Sequence, residues 1–393
     1  MKLERIRPTV AAALLSLCLG SALAQAPAPI RIGFLATFSG ALAPLGRDQY
    51  DAFMLAVEQR GGRLGGVQVQ VLKEDDQFKP EVGTQLVQKL IERDNVPIIT
   101  GITGSNVLMA IAKPIAEKQV FLISTNAGPS PLAGAQCSPY QFVASWQADV
   151  IAEVVGKYAA DKGYKRVALM APNYQGGKDI LAGFKRLFKG EIVGEIYTPL
   201  QQLDFSAELA QVTASKPDAL FAFYPGAGGV GFVRQYQQAG LLKTLPLLTT
   251  GIIDGTTLPA LRESALGIVA GHVWGPDLDN TANRQFVQAF EARYDRIPSN
   301  FAAQAYDGAL LLDSAISTVK GNLSDKIAFA AALKSADFKS IRGKFQFGRN
   351  NFPVQDLFIF EAVKDAKGRM TMKSIAAPLK NHADMYAAQC LMK

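Results

Sequence analysis

The stretch "FYPGAGGVGF" places Gly226, Gly228 and Gly231 in the spacing G-x-G-x-x-G, after the apolar run "DALFAFYP" and before the amphipathic "VGFVRQYQQAGL". A strand, that spacing and a helix form the setting in which backbone N–H groups cradle a dinucleotide pyrophosphate. Asp254, 23 residues beyond Gly231, stands near where a ribose-binding acid would sit. The motif lies far from the chain start, in a chain that carries an export signal, so no cofactor is expected. The glycines are instead assigned to a sharp turn after Tyr224-Pro225 and to close packing of the next helix. Other chemistry has little to build on. There are two histidines, His272 and His382, and no G-x-S-x-G, H-E-x-x-H or C-x-x-C pattern. Neither a metal site nor an enzyme activity is expected.

The export signal is "MKLERIR", then "AAALLSLCLGSALA", with Ala22-Leu23-Ala24 before Gln25. A basic start, a short apolar run and an A-x-A site describe a secretory signal peptide over 1–24, cleaved after Ala24, and a periplasmic product. Cys18 raises a lipoprotein alternative, but Leu17 stands where a small residue is wanted. The net charge of +7 is spread along 393 residues without a Lys/Arg block, and no nucleic-acid partner is expected. Beyond the signal two cysteines remain, Cys137 and Cys390. An even count in an exported protein favours one disulfide over two buried thiols.

These residues must be positioned by a folded chain long enough for two domains. From residue 30, "IRIGFLAT", "VQVQVLKEDD", "VPIITGI" and "VFLIST" have the pattern of strands. They alternate with the helical "GRDQYDAFMLAVEQRGG", "KPEVGTQLVQKLIERDN" and "NVLMAIAKPIAEKQ". After "CSPYQFVASWQAD" a second series of similar length begins. Two α/β lobes with doubly wound parallel sheets are expected, each covered by helices on both faces. Ligands of such sheets sit beyond the carboxyl ends of the strands.

The segments "IRIGFLATFSGALAPLGRDQYDAFMLAVEQRGG", "VLKEDDQFKPEVGTQLVQKLI", "LDFSAELAQVTASKPDALFAF" and "FVRQYQQAGL", in this order, resemble the leucine/isoleucine/valine-binding (type I) family of periplasmic solute receptors for ABC importers. The likeness covers essentially the whole chain beyond the signal. It implies two lobes joined by three crossover strands: 25–146 with 275–350 as lobe one, and 147–274 with 351–393 as lobe two and tail. It also implies a monomer that presents its ligand to membrane permease subunits. By position, Ser105 and the loop Asn126-Ala127-Gly128 match the family's carboxylate-binding groups, and a hydroxyl with N–H groups at a helix start suits an anion. Ser105 as a simple N-cap is the competing role.

Departures from the family bear on the ligand. The amino-acid receptors hold the ligand ammonium with a glutamate, where this chain has Gly251. Asp254 is the one nearby acid that a different loop shape could bring in. Leu45 stands where those receptors often carry an aromatic, and Gly128 replaces a hydroxyl residue. Tyr174, Tyr224 and Phe301 offer aromatic surface. The loop "NAGPSPLAGAQCSPYQF" resembles the branch that binds benzoate derivatives. The expected ligand is a small carboxylate, aromatic rather than aliphatic. It docks on Ser105 and residues 126–128 and is covered when Tyr174, Tyr224 and the Gly251 loop close over it. An amino-acid receptor, and a sensor uncoupled from transport, remain the alternatives.

Overall fold

The computed structural model describes residues 28–392. The expected signal segment, its cleavage site and Cys18 lie outside the described residues. Two sheets organise the chain. The first contains β1 (Ile30–Ala36), β2 (Arg63–Leu64), β3 (Val67–Asp75), β4 (Ile98–Gly101), β5 (Phe121–Ser124) and β6 (Gln141–Val143). Their order is β2-β3-β1-β4-β5-β6, parallel except for the β2–β3 hairpin. The apolar runs of β1, β4 and β5 are buried almost residue by residue, because helices cover both faces. Those linking the strands are α1 (Ala43–Glu58), α2 (Pro80–Gln88), α3 (Ser105–Glu117) and the short α4 (Ser130–Ala133).

The second sheet has the order β12-β13-β11-β10-β9-β7-β8, with β14 paired to β13. Its strands are β7 (Arg166–Pro172), β8 (Glu191–Thr198), β9 (Ala219–Ala222), β10 (Leu247–Thr249), β11 (Val269–His272), β12 (Phe345–Phe347), β13 (Pro353–Lys364) and β14 (Met370–His382). The strands β7 to β11 are parallel and β12 to β14 form an antiparallel extension. The helices are α5 (Val150–Asp161), α6 (Gln175–Leu187), α7 (Ser206–Ala214), α8 (Ala227–Gln238) and α9 (Leu258–Leu261), followed by α10 (Thr281–Tyr294), α11 (Asn300–Thr318) and α12 (Lys326–Ser335). In both sheets the winding direction reverses beside a central strand, β1 in the first and β7 in the second. That reversal opens a crevice at the carboxyl ends.

Packing divides the 275–350 block. Phe286 and Phe290 of α10 join the second core, and β12 pairs with β13 of the second sheet. Ala305 to Ile316 of α11 and Phe329 to Leu333 of α12 pack in the first core. The chain therefore passes between lobes three times: from β6 to α5, from α10 into α11, and from α12 to β12.

The first and third passages meet α11 and β13 at Arg342, 1% exposed at its side chain, and Asp307, 0% exposed. The Arg342 guanidinium donates to Asp307 Oδ2 on α11 at 2.8 Å, and to Ala144 O at 2.6 Å and Ser145 O at 2.8 Å in the first passage. It also donates to Gln355 Oε1 on β13 at 3.0 Å. Asp307 Oδ1 accepts the Ile341 N–H at 3.0 Å and Oδ2 accepts the Ser340 hydroxyl at 2.6 Å. The end of β14 and the tail beyond it bind the start of α5 in the second lobe, and the last residues reach the first lobe. The Tyr386 hydroxyl donates to Asp149 at 2.7 Å, His382 pairs with Glu153, and Cys390 forms a disulfide with Cys137. The disulfide favoured by the cysteine count is thus present and ties the tail across the two lobes.

Removing one partner of a buried ion pair leaves the other desolvated and uncompensated, at about 3–5 kcal/mol. Asp307→Ala is expected to lose that much stability in urea titration. An unchanged midpoint would show that the junction does not depend on the pair.

Candidate functional site

The first lobe supplies hydrogen-bonding groups at the ends of β4 and β5. Gly104, not Ser105, is the N-cap residue of α3, which removes the capping role considered for Ser105. Ser105 is the first helical residue, so its N–H has no intrahelical partner. Its hydroxyl makes no hydrogen bond to a described residue. Thr103 Oγ1 accepts from Thr37 N–H and from Gln49 Nε2, each at 3.0 Å, so its own proton stays available to donate. Asn126 Nδ2 donates to Thr103 O at 2.6 Å. That fixes the amide and leaves Oδ1 buried and unpaired. Asn126 therefore offers an acceptor rather than a donor. The Ala127 N–H is committed to Ile102 O at 3.1 Å. Gly128 has a structural requirement: a Cβ there would lie 1.9 Å from Trp146 O. Its N–H makes no bond to a described residue.

Aromatic side chains close the other sides. Phe78 has φ +61, the left-handed region, held by its N–H on Asp76 Oδ1 at 2.8 Å and its carbonyl accepting from Asn106 Nδ2 at 2.9 Å. A Cβ on Gly104 would lie 2.2 Å from the Phe78 ring, so that glycine makes room for the ring. Phe78 meets Tyr174 of the second lobe edge-on, centroids 6.0 Å apart, and Tyr174 stacks at 6.5 Å on Phe223. Trp146, in the first passage, meets Phe301 at 6.3 Å and His272 at 6.5 Å. Ser130 at the start of α4 donates its N–H and hydroxyl to Asp179 of α6 at 2.9 and 2.7 Å. With that contact the lobes are shut.

Between them lies a cavity of about 50 Å³, lined by Leu45, Ser105, Asn126, Ala127, Gly128, Tyr174, Gly251 and Phe301 among others. A space of this size holds only a few water-sized groups, so an organic ligand enters only if the lining side chains shift apart. Eight of the nine expected ligand-binding residues line it. Tyr224 does not. Its hydroxyl lies 3.2 Å from Thr198 Oγ1, and its ring stacks on Phe232 at 4.9 Å in the second core. Its neighbour Phe223 lines the cavity instead. Sequence reasoning also passed over Phe78, Thr103, Trp146, Thr250 and His272, which line it too. A signal for Phe223 existed: side chains alternate along a strand, and Phe223 and Tyr224 leave β9 on opposite sides. A larger groove of about 1450 Å³, bordered by Arg234, Arg262 and Arg369, lies on the second lobe away from the strand ends.

The fingerprint glycines divide by role. Gly226, φ +63, makes the turn into α8, and a Cβ there would lie 2.7 Å from Ala41 O of the first lobe. Gly228 and Gly231 face open space, and the close helix–strand contact belongs to Gly229, 2.1 Å from Tyr224 O. Asp254 does not line the cavity. Its Oδ1 accepts from the Thr256 N–H and hydroxyl, both at 2.6 Å, and burial pushes its pKa up to about 7.

Among the described residues that line the cavity, none is Asp, Glu, Lys or Arg. Gly251, φ +74, lines the cavity and brings no side chain to it. The charge balance therefore comes from dipoles: the N-terminus of α3, hydroxyls, and neutral ring N–H groups. Burial holds the Tyr174 phenol well above its ordinary pKa, so it is a neutral donor. Burial also pushes His272 down to about 4; the nearby Ile253 backbone opposes this without completing a hydrogen bond to either ring nitrogen.

A model of the periplasmic binding protein family matches residues 29–368. The chain belongs to that family. Two solved relatives share this periplasmic binding protein's fold closely. A solute-binding protein of an ABC transporter from R. palustris, in complex with benzoate, is 31% identical with TM-score 0.88, covering 93% of this chain and all of that one. A second, from Rhodopseudomonas palustris BisB5 in complex with 3,4-dihydroxybenzoic acid, is 28% identical with TM-score 0.85, covering 91% and 99%. The Leu/Ile/Val-binding protein homolog 6 of Brucella melitensis is 27% identical over 356 residues, 88% of this chain and 90% of that one. The type I fold and the leucine/isoleucine/valine-binding likeness are thereby shown, and family membership carries a periplasmic location.

His272 gives this binding protein a pH signature. The unfolded chain protonates it near pH 6.5 and the folded one near 4. Its contribution to stability is therefore present above pH 6.5 and lost as pH falls toward 4. Between pH 7.5 and 4.5 that loss is about 2–3 kcal/mol. Urea titrations at both pH values are expected to show this loss reduced in His272→Gln. Equal pH dependence in both proteins would contradict it.

Proposed function

We propose that the protein is the receptor of an ABC importer and closes as a monomer around one small aromatic carboxylate. The observation that carries this reading is the shut, uncharged cavity at the carboxyl ends of both sheets. An amino acid enclosed there would leave its ammonium without a counter-charge, which costs several kcal/mol. A carboxylate meets the N-terminus of α3, the Ser105 and Thr103 hydroxyls and the Gly128 N–H. Phe78, Trp146, Tyr174, Phe223 and Phe301 give a flat ring apolar faces and edges on several sides. Two relatives solved with benzoates support the same class.

In this mechanism the carboxylate docks first on the open first lobe, where the donors are preset. The second lobe then brings Tyr174, Phe223 and the Gly251 loop over the ring, and Ser130 reaches Asp179. Water leaves the cleft, and the remaining hydrogen bonds strengthen in the lower dielectric. Ligand binding stabilises the closed form by its preference for that form, and the closed form is the one presented to permease subunits. The ligand leaves unaltered; no turnover is part of the cycle.

In a thermal-shift series, benzoate or a hydroxybenzoate is expected to raise the melting temperature and leucine to leave it unchanged. Ser105→Ala removes a hydrogen bond to a charged group, so calorimetry is expected to show affinity for the stabilising acid lower by roughly 10- to 100-fold. A shift with leucine alone would overturn the aromatic-acid reading. Full affinity in Ser105→Ala would remove Ser105 from the site.

A further inference from the structure

The orphaned polar groups of the cavity say more about the ligand than its walls do. His272 ends β11 at the carboxyl edge of the second sheet, lines the cavity, and is 1% exposed. Neither ring nitrogen has a hydrogen-bond partner among the described residues. Around it stand the rings of Trp146 and Phe360, each with centroid 6.5 Å away, and the Ile253 backbone, which completes no hydrogen bond to either nitrogen. Thr250, which also lines the cavity, cannot serve it as a donor, because its hydroxyl is already given to Gly271 O at 2.9 Å. A neutral imidazole has one N–H and one lone pair, and leaving either buried and unpaired is costly.

Asn126 Oδ1 is the other buried, unpaired polar atom of the lining. It is an acceptor, since its own amide N–H is committed to Thr103 O. An unsubstituted aromatic carboxylate has no O–H or N–H to offer either group. The carboxylate-holding donors belong to the first lobe and His272 to the second. A ring spanning the two therefore turns its far edge toward the second sheet.

We propose that His272 recognises a hydroxyl group on the ligand's ring, which makes the ligand class hydroxylated aromatic acids rather than the unsubstituted acid. A phenolic hydroxyl can donate to the imidazole lone pair or accept from its N–H, so it suits whichever ring nitrogen faces the cavity. His272 is in this reading the specificity-determining residue of the cavity. The inference rests on the aromatic-acid reading and deepens it.

Titration calorimetry at pH 7.5 with benzoate, 3-hydroxybenzoate and 4-hydroxybenzoate tests it on the wild type and His272→Met, which replaces the imidazole with an unbranched apolar chain. One missing hydrogen bond at a buried polar group corresponds to about tenfold. The wild type is expected to bind one of the hydroxybenzoates about tenfold or more tighter than benzoate. His272→Met should bring the two within about threefold, by lowering hydroxybenzoate affinity more than benzoate affinity. His272→Gln, which keeps a donor and an acceptor, should retain part of the preference, and it serves if the methionine variant does not fold. Equal wild-type affinities, or a loss of benzoate and hydroxybenzoate binding in equal measure, would overturn the role of His272 while leaving the aromatic-acid reading standing. Absence of binding by all three acids would overturn both.

Discussion

The architecture depends on one buried ion pair, Arg342 with Asp307. A chain that crosses three times between two sheets must bring three stretches of irregular backbone together, and their carbonyl groups need donors. Arg342 supplies several from one side chain, capping Ala144 and Ser145 of the first passage while held by α11 and β13. Arginine suits this place because its planar fork presents many donors at fixed angles and keeps its charge when buried. Each lobe has its own apolar core, and in this closed form the second core also takes in Leu45, Ala52 and Leu55 of α1 and Phe301 to Ala303 of α11.

That junction sets the chemistry of the cleft. The first passage carries Trp146 into the cavity, and the second opens with Phe301 at the start of α11. Rings at the hinge end and dipoles at the strand ends make an interior with no fixed charge. Such an interior discriminates by exclusion: an ion with no partner inside pays its full desolvation cost, and a carboxylate is admitted where N–H and O–H groups converge. Backbone strain also borders the cleft. Gln77 and Phe78 both have positive φ, and side-chain bonds from Asp76 and Asn106 hold the loop so that Phe78 faces Tyr174.

Much of this was legible in the residues and much was not. Alternating apolar runs and amphipathic helices are local signals, and the strands they point to form the two sheets found. Ser105 and the 126–128 loop could be placed because they follow buried strands of the first lobe. Their individual roles could not, since the Ala127 N–H is committed to Ile102 and Asn126 turns an acceptor outward only through a contact with Thr103. Tyr224 reads as aromatic surface of the cleft, but strand alternation sends it into the core and leaves Phe223 in its place. His272 and Trp146 looked unremarkable because their partners are distant in sequence; only the meeting of β11 with the first passage makes them part of a site. The helix α10 follows the second lobe rather than the first because Phe286 and Phe290 fit beside Trp274, a tertiary match that chain order does not disclose.

The central claim is that a carboxylate is held inside a cleft without any charged side chain, by the start of α3 and the loop after β5. The most direct measurement is a crystal structure of the protein with the benzoate-class acid that stabilises it most. The account predicts both lobes closed, with the carboxylate oxygens on the Ser105 hydroxyl and Gly128 N–H and no Arg or Lys side chain in contact. A carboxylate paired with an arginine or lysine, or an acid bound away from the residues that line this cavity, would contradict it.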